Sequence, residues 1–555
     1  MLLPCQAPPK RTSPISGSSQ IAPSTITVST PLDREPEPTP ASESTQGRVL
    51  RAFISAPPTL IVCGAILSLT LLFPFIEDNI PQAYIARRLL HRELPYVGTW
   101  DQNYPGVLIF HLLALILSPS ALAFRFVDLI FELWMVWVLY DLGKRIHSQT
   151  AGMFASLLYS LYYVLNGIDD LAGQKDVFAA IALVTAVWLL VRSNYRSVNL
   201  AGLLAGIAVL IRPTYGLHVA VLAGAMLWIC NAERIRTALK FLTFAVLPML
   251  IFCGFYATIG HFRDFWEATF LFTTSVYNPQ PRVGILATSA LYRGLIPPMA
   301  VLGLIVLFAK SPRRREGVLL GGMLIASLAS SLILWGYRYH YQPFVTFEFL
   351  CAGVAVGYAL TELLPWIVRS SSMRSILTLV LAILIIVLEF RGTTMSGLIR
   401  DSIRDRNITR ASIDQHFAAG AYDPLGEQQL ANYVVRHSSK GERMESFYTT
   451  VYPQYLADLQ PANRFILTIP LLMRNASGSF SDFQKRWQRE YSDSMLRVQP
   501  RWFLISDPKD TAGIGERGML PRRMLHETFP EIEAMIQSRY HRDTTIGVWT
   551  LYTKN

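Results

Sequence analysis

Paired carboxylates stand where two long apolar stretches end, and acids of this kind can take part in proton transfer. The residues are Glu77 and Asp78 after the first stretch, then Asp169, Asp170 and Asp176 after a later one. A carboxylate at the rim of a low-dielectric cavity can serve as a general base. Helix ends near water also often carry carboxylates, and an acid in a first helical turn is favourable with the helix dipole. Both interpretations stay open for four of the five, whereas a function is favoured for Asp176.

Cations next to apolar stretches form a second group of candidates. They are Lys175, Arg212, Arg338 and His340, with Tyr341 beside the last. Snorkelling toward water explains any one of them. Several that converge are more typical of a phosphate site, because arginine offers forked donors to phosphate oxygens. His340 taken alone is more typical of a neutral interface histidine.

The elements that must position these residues are membrane helices. The chain has 555 residues, of which 51% are hydrophobic and only 16% charged. A soluble protein is about a quarter charged. Stretches such as 52–76, 148–168, 241–260 and 317–337 contain no charged residue or histidine, and about 20 apolar residues cross a bilayer. The sequence therefore predicts a polytopic membrane protein.

About eleven transmembrane helices are predicted from the apolar runs. The runs are 57–76, 121–140, 150–167, 177–191, 198–211, 214–231, 241–259, 294–309, 317–336, 343–365 and 375–390. The second run is weakened by Arg125, Asp128 and Glu132. Lysine and arginine follow the positive-inside rule best with a cytoplasmic N-terminus, which accounts for the net charge of +11 without a nucleic-acid partner. The candidate acids then share the outer face.

The first outer loop predicts two short helices and further site residues. The spacing of Ile80, Arg87 and Leu90 is typical of an interfacial amphipathic helix, and 105–117 is too short to span. Four outer-loop residues are assigned to the acceptor side of a site: Asp101, Asp169, Asp170 and Arg87.

Three domains are predicted. Residues 1–50 are rich in Pro, Ser and Thr and form a disordered cytoplasmic tail, 51–392 form the transmembrane domain, and 393–555 form a small outer α/β domain. In the last of these, 464–469, 501–506 and 546–553 read as strands, and 426–437 and 529–540 as helices. None of the five cysteines lies there, so a disulfide framework is excluded.

The order of several short motifs resembles the glycosyltransferase C superfamily, in particular the bacterial relatives of protein O-mannosyltransferases and lipid A aminoarabinose transferases. The likeness is carried by Asp78-Asn-Ile-Pro-Gln-Ala-Tyr-Ile-Ala-Arg87, Asp101-Gln-Asn-Tyr-Pro105, Gln174-Lys175-Asp176, Gly202 to Pro213, and Tyr339-His340-Tyr341-Gln342-Pro343. The family's catalytic aspartate aligns with Asp78, and Glu77 stands on its other side where many members have the glutamate after the aspartate.

The resemblance implies transfer of a sugar from a polyprenyl-phosphate donor to an acceptor hydroxyl on the outer face, with inversion. Asp78 would be the general base, with Glu77 and Asp176 as further catalytic candidates. Lys175, Arg212, Arg338, His340 and Tyr341 would bind the donor phosphate. No cofactor is required, although Asp78 with Asp176 leaves a divalent cation open.

This enzyme would reside in the bacterial inner (plasma) membrane, and its acceptor would be a lipid or glycan of the cell envelope, as in lipopolysaccharide or protein glycosylation. Two alternatives remain: a ligase that moves whole lipid-linked glycans, and a flippase or transporter, which would also place charges between helices.

Overall fold

The computed structural model describes residues 56–75, 78–167, 171–229, 233–277, 294–309, 314–334, 337–390, 423–506 and 521–555. The predicted tail at 1–50, the boundary at 392–393, and the candidates Glu77, Asp169 and Asp170 lie outside these residues.

Up to residue 390, the elements of the described residues are helices. Up to Ile229 they are α1 (Ala56–Leu67), α2 (Asn79–Leu90), α3 (Leu108–Leu117), α4 (Ala121–Ile146), α5 (Gln149–Asn166), α6 (Lys175–Arg192), α7 (Val198–Ile211) and α8 (Gly216–Ile229). Beyond it they are α9 (Arg234–Thr258), α10 (Phe262–Trp266), α11 (Ile296–Ala309), α12 (Arg314–Ile333), α13 (Gln342–Tyr358), α14 (Leu364–Ile367) and α15 (Ser371–Phe390). Short 3₁₀ turns at Pro213–Tyr215 and Arg338–Tyr341 precede α8 and α13.

Each of the eleven predicted apolar runs coincides with a helix, so their helical nature is confirmed. By length and apolar composition, four helical stretches among the described residues suffice to cross a bilayer: Arg234–Thr258, Arg314–Ile333, Arg338–Ile367 and Ser371–Leu388. The first has 25 residues, about 38 Å at 1.5 Å per residue. The count of eleven spans stays a prediction, because several of the other helices are shorter.

Local sequence explains where the two helices beneath the candidate site begin. Ser120 precedes α4 and its hydroxyl accepts from the Ala123 amide at 3.2 Å, and Ser148 precedes α5 and accepts from the Ala151 amide at 3.2 Å. Such caps satisfy amide groups that have no partner within the helix. The two helices pack against each other, and α13 packs against α5, so α5 lies at the centre of the bundle.

Arg125, Asp128 and Glu132 are fully buried inside this bundle, although α4 is otherwise apolar. These three charges weakened the prediction of the second span. The helix nevertheless forms over 26 residues, because neighbouring helices rather than lipid surround that face.

The C-terminal part is an α/β domain, as predicted. Its elements are α16 (Pro424–His437), β1 (Arg443–Phe447), α17 (Tyr452–Ala457), β2 (Gln460–Pro461), α18 (Ile469–Leu472), α19 (Asp482–Val498), β3 (Trp502–Ser506), α20 (Pro521–Thr528), α21 (Pro530–Arg539), β4 (Tyr540–Ile546) and β5 (Trp549–Lys554). The sheet order is β2-β1-β3-β5-β4. Strand β1 runs parallel to β2 and β3, and β5 runs antiparallel to β3 and β4.

One strand prediction in this domain is wrong. Residues 464–468 form no strand, although Phe465 and Ile466 are buried. The guanidinium of Arg464 bonds the Tyr96 carbonyl at 3.0 Å and Asp264 at 2.7 Å, and its carbonyl accepts from the Trp100 amide at 2.6 Å. The segment therefore docks the domain against the loop that carries Tyr96 and Trp100, and that tertiary role overrides its strand-like composition.

Helix α2 forms the other docking point between the two domains. Arg87 donates to the Tyr455 carbonyl and lies 3.1 Å from an Asp458 carboxylate oxygen. Tyr84 donates to the Leu459 carbonyl at 2.8 Å. The helix predicted over 80–90 is confirmed, but its arginine contacts the C-terminal domain.

Candidate active site

Asp78 is an exposed carboxylate at the start of α2, in contact with the segment that leads into α6. The Gln174 side chain donates to Asp78 Oδ2 at 3.2 Å. The next residue, Asn79, donates to the Ala172 carbonyl at 3.3 Å. The beginnings of α2 and α6 are thereby joined, and Asp78 keeps a face open to solvent.

Lys175 lies between the acids that sequence analysis singled out. Asp78, Asp101 and Asp176 are all close enough for their charges to act on its ammonium group. Its Nζ donates to the Asn103 side-chain oxygen. The structure thus brings together four of the predicted residues from three separate parts of the chain.

Asp101 supports Lys175 through Asn103. Its Oδ1 accepts from the Asn103 amide at 3.1 Å and from the Asn103 side chain at 2.8 Å. Burial raises the pKa of Asp101, whereas these hydrogen bonds and the Lys175 charge act in the opposite direction. Asp101 is 5% exposed and its two hydrogen bonds orient Asn103, while its predicted place on the acceptor side stays a prediction.

Asp176 is paired with Arg212 and Tyr215. Arg212 Nη2 lies 2.9 Å from Asp176 Oδ2, and the Tyr215 hydroxyl donates to Oδ1. Asp176 is fully buried and the Arg212 side chain is 11% exposed. These contacts orient the guanidinium, and the catalytic role predicted for Asp176 stays a prediction.

The 3₁₀ turn at Arg338–Tyr341 brings the remaining cations to this place. His340 is 4% exposed, and the charges of Arg212 and Lys175 act on its ring. Arg338 donates to the Asn166 side-chain oxygen at 3.3 Å. Tyr341 is buried. The predicted phosphate-binding residues Lys175, Arg212 and His340 therefore converge, and Arg338 and Tyr341 lie in the same turn as His340.

Two serines of α12 hold the turns that carry these cations. Ser330 donates to the Thr214 carbonyl, two residues after Arg212, and Ser331 donates to the His340 carbonyl, both at 2.8 Å. The two turns are thereby anchored to one helix.

Aromatic side chains near Asp78 were missed by sequence reasoning. The charge of Asp78 acts on the hydroxyl groups of Tyr277, Tyr337 and Tyr339. The rings of Tyr337 and Tyr339 stack at 5.6 Å with an interplanar angle of 9°. Tyr337 and Tyr339 stand in a motif that was noted for its cations, whereas no local signal marks Tyr277 or the Asp176 partner Tyr215.

The remaining predicted candidates are Glu77, Asp169, Asp170 and Arg87. Glu77, Asp169 and Asp170 lie outside the described residues, and Arg87 docks the C-terminal domain. Within the part of the chain that the structure describes, no three His, Cys, Asp or Glu residues come together as metal ligands. The partners of Asp176 are a cation and a phenol, a set that does not suit a divalent cation.

The sequence and the fold both resemble those of known proteins. Residues 105–256 match the family described as dolichyl-phosphate-mannose-protein mannosyltransferase. No curated protein matches the sequence.

Two solved structures share the fold over most of the chain. One is ArnT from Cupriavidus metallidurans bound to undecaprenyl phosphate, with a TM-score of 0.56, 12% identity, and coverage of 92% of this chain and 98% of that one. The other is AglB, the oligosaccharyltransferase from Archaeoglobus fulgidus, in complex with an inhibitory peptide and a dolichol-phosphate, with a TM-score of 0.50, 13% identity, and coverage of 90% and 74%. The chain therefore has the fold of these two proteins, in agreement with the resemblance to the glycosyltransferase C superfamily that the motifs indicate.

Proposed function

We propose that the protein transfers a sugar from a polyprenyl-phosphate donor to an acceptor hydroxyl on the outer face of the membrane. The observation that carries the proposal is the exposed Asp78 carboxylate, held by Gln174 next to Lys175. The ArnT structure holds undecaprenyl phosphate and the AglB structure holds a dolichol-phosphate, and the matching family is described by a dolichyl-phosphate sugar donor. These ligands support the same class of donor here.

Asp78 is the general base of the proposed reaction. Its carboxylate takes the proton of the acceptor hydroxyl while that oxygen forms a bond to the anomeric carbon. The bond between this carbon and the phosphate oxygen breaks on the opposite side, which inverts the anomeric centre. The products are the glycosylated acceptor, polyprenyl phosphate and a protonated Asp78.

The cation cluster stabilises the leaving phosphate. Negative charge grows on the phosphate oxygens as the glycosidic bond breaks, and fixed donors in a site shielded from water are the most effective partners for it. Asp176 and Tyr215 hold Arg212 in one orientation and leave other guanidinium N–H groups for a ligand. Lys175, Arg338 and His340 supply further donors for the phosphate oxygens.

The proposed topology follows from this chemistry. The donor and the candidate site share the outer face, the N-terminus is cytoplasmic, and the C-terminal domain lies outside a bacterial plasma membrane. The domain docks on α2 through Arg87, on the helix that Asp78 precedes, and an acceptor lipid or glycan would bind between them.

The decisive experiment uses proteoliposomes with a panel of radiolabelled polyprenyl-phosphate sugars and an envelope lipid extract as acceptor. We expect wild type to transfer or hydrolyse the sugar of one donor. Asp78→Asn should lower that rate by about 1000-fold or more, because it removes both the general base and the group that orients the acceptor hydroxyl. Asp482→Asn is the matched control, because the Asp482 side chain is 97% exposed in the C-terminal domain and should keep wild-type turnover.

Two results would contradict the proposal. Asp78→Asn activity equal to wild type would remove Asp78 as the base. Protein-dependent movement of a donor across the bilayer, without turnover and unchanged in Asp78→Asn, would favour a flippase.

A further inference from the structure

A buried polar unit inside the helical bundle touches both chain segments that carry the candidate acids. It consists of Arg125 and Asp128 on α4 and Tyr163 on α5, all 0% exposed. Charges buried among membrane helices are costly and persist where they have a function. None of the three residues belongs to the cation cluster described above.

Asp128 and Tyr163 hold the segment that leads into α6. The Tyr163 hydroxyl lies 2.9 Å from each carboxylate oxygen of Asp128, to which it donates. The same hydroxyl accepts from the Gly173 amide at 2.8 Å. A hydroxyl that donates to a carboxylate is a better acceptor, because hydrogen bonds in a chain polarise one another.

Only glycine suits position 173, where the backbone amide donates to Tyr163. Its φ is +69°, a left-handed conformation that glycine adopts without strain. A Cβ atom would also lie 2.5 Å from a ring carbon of Phe124 and 2.9 Å from Arg125 Nη1. The backbone therefore sits directly on the buried unit, one residue before Gln174.

Arg125 holds the other segment, which leads toward Asp78. Its Nη2 donates to the Pro74 carbonyl at 2.5 Å and its Nε to the Phe73 carbonyl at 3.4 Å. Its Nη1 lies 3.6 Å from Asp128 Oδ2. One side of the unit thus binds the chain before Asp78, and the other side binds the chain before Lys175.

We propose that Arg125, Asp128 and Tyr163 form a buried tether that sets the position of Asp78 relative to Gln174 and Lys175. The inference rests on the proposed function, and it assigns positioning roles to residues that do not touch the substrate. The tether explains how the exposed Asp78 carboxylate keeps one geometry. The buried residues fix the two segments inside the bundle, and the Gln174–Asp78 hydrogen bond joins the same segments at the candidate site.

The test compares Tyr163→Phe with Tyr159→Phe in the full-length protein. Tyr159 is equally buried one turn earlier on α5, and its ring stacks on Tyr163. Its hydroxyl contacts Gln342 and Glu132 instead of the segment before α6. The two variants therefore remove the same atom from the same environment, but only one of them cuts the tether.

The first readout is hydrogen exchange at the Gly173 amide, measured by mass spectrometry on peptides that cover 171–176. We expect Tyr163→Phe to speed this exchange about tenfold, since its acceptor is lost, and Tyr159→Phe to leave it unchanged. The second readout is steady-state transfer. We expect Tyr163→Phe to lower kcat by about 10- to 100-fold, because a misplacement of about 1 Å can cost that much.

The donor KM should change less than about threefold in Tyr163→Phe, because Arg212 and His340 are held independently through α12. Thermal unfolding in detergent is compared for both variants. Unchanged Gly173 exchange in Tyr163→Phe, or an equal loss of kcat and stability in the two variants, would overturn the tether. If wild type shows no transfer, the proposed function fails while the exchange measurement still decides the tether.

Discussion

Replacing Glu445 by glutamine should stabilise the C-terminal domain at alkaline pH and remove most of its pH dependence. Glu445 lies on β1 and is 2% exposed. Its carboxylate accepts from the Tyr491 hydroxyl at 3.0 Å and from the Asn463 side chain at 2.8 Å. Burial raises the pKa of Glu445 from 4.5 to about 8, and these two hydrogen bonds oppose it only in part.

The sign and size of the effect follow from proton linkage. Between pH 4.5 and about 8 the folded domain keeps a proton on Glu445 that the unfolded chain releases. The free energy of unfolding therefore falls as pH rises through this window, by about 1.4 kcal/mol per pH unit and at most about 5 kcal/mol in all. Glutamine imitates the protonated acid, since its oxygen can accept from Asn463 and its amide can donate to Tyr491.

The assay is hydrogen exchange of peptides covering β1 and β3 in the full-length protein, from pH 5 to 9, corrected for intrinsic exchange rates. We expect the opening free energy to fall by several kcal/mol across this range in wild type and to stay nearly constant in Glu445→Gln. Asp493→Asn, which removes an exposed carboxylate on α19, should behave as wild type. A wild-type free energy that rises with pH, or changes by less than about 1 kcal/mol, would refute the reasoning.

Two further predictions concern the site and the bundle. Lys175→Gln should lower kcat for donor turnover by about 10²- to 10³-fold, the usual effect of losing one charge-stabilising donor. The unfolding temperature should stay that of wild type. Turnover equal to wild type would exclude Lys175 from the phosphate site. Gly303→Ala should destabilise the protein by about 2 kcal/mol or more, because the added Cβ would overlap the Cys351 carbonyl oxygen where α11 packs on α13. Gly224→Ala is the control: a Cβ there has no atom within 4 Å, so the unfolding temperature should stay unchanged or rise.

The helices of this fold could be predicted because long apolar runs require them. In a membrane every backbone polar group needs an internal partner, so an apolar run of sufficient length forms a helix whatever its neighbours are. The strand expected at 464–469 failed because no such constraint acts in the outer domain. There Arg464 bonds Tyr96 and Asp264 from other parts of the chain, and these contacts decide the conformation.

The site could be predicted only as a set of residue types. Motif order selected Asp78, Lys175 and Arg212, and the structure brings them together. The partner of each is set by tertiary packing: Tyr215 is 39 residues from Asp176, and no local pattern marks it. That partner shows Asp176 as a buried acid in contact with Tyr215 and Arg212, a setting that the sequence does not reveal.

The sequence alone also assigns no role to the charged residues of α4. In the sequence, Arg125 and Asp128 count only against a membrane span, since a charge facing lipid is costly. In the structure they face α5 and the two segments beneath the candidate site, where the Phe73 and Pro74 carbonyls and the Tyr163 hydroxyl take the place of water. Charged residues that interrupt an otherwise apolar helix therefore indicate where that helix meets irregular backbone. In this protein that backbone carries the proposed catalytic residues, so the interruption itself points to the site.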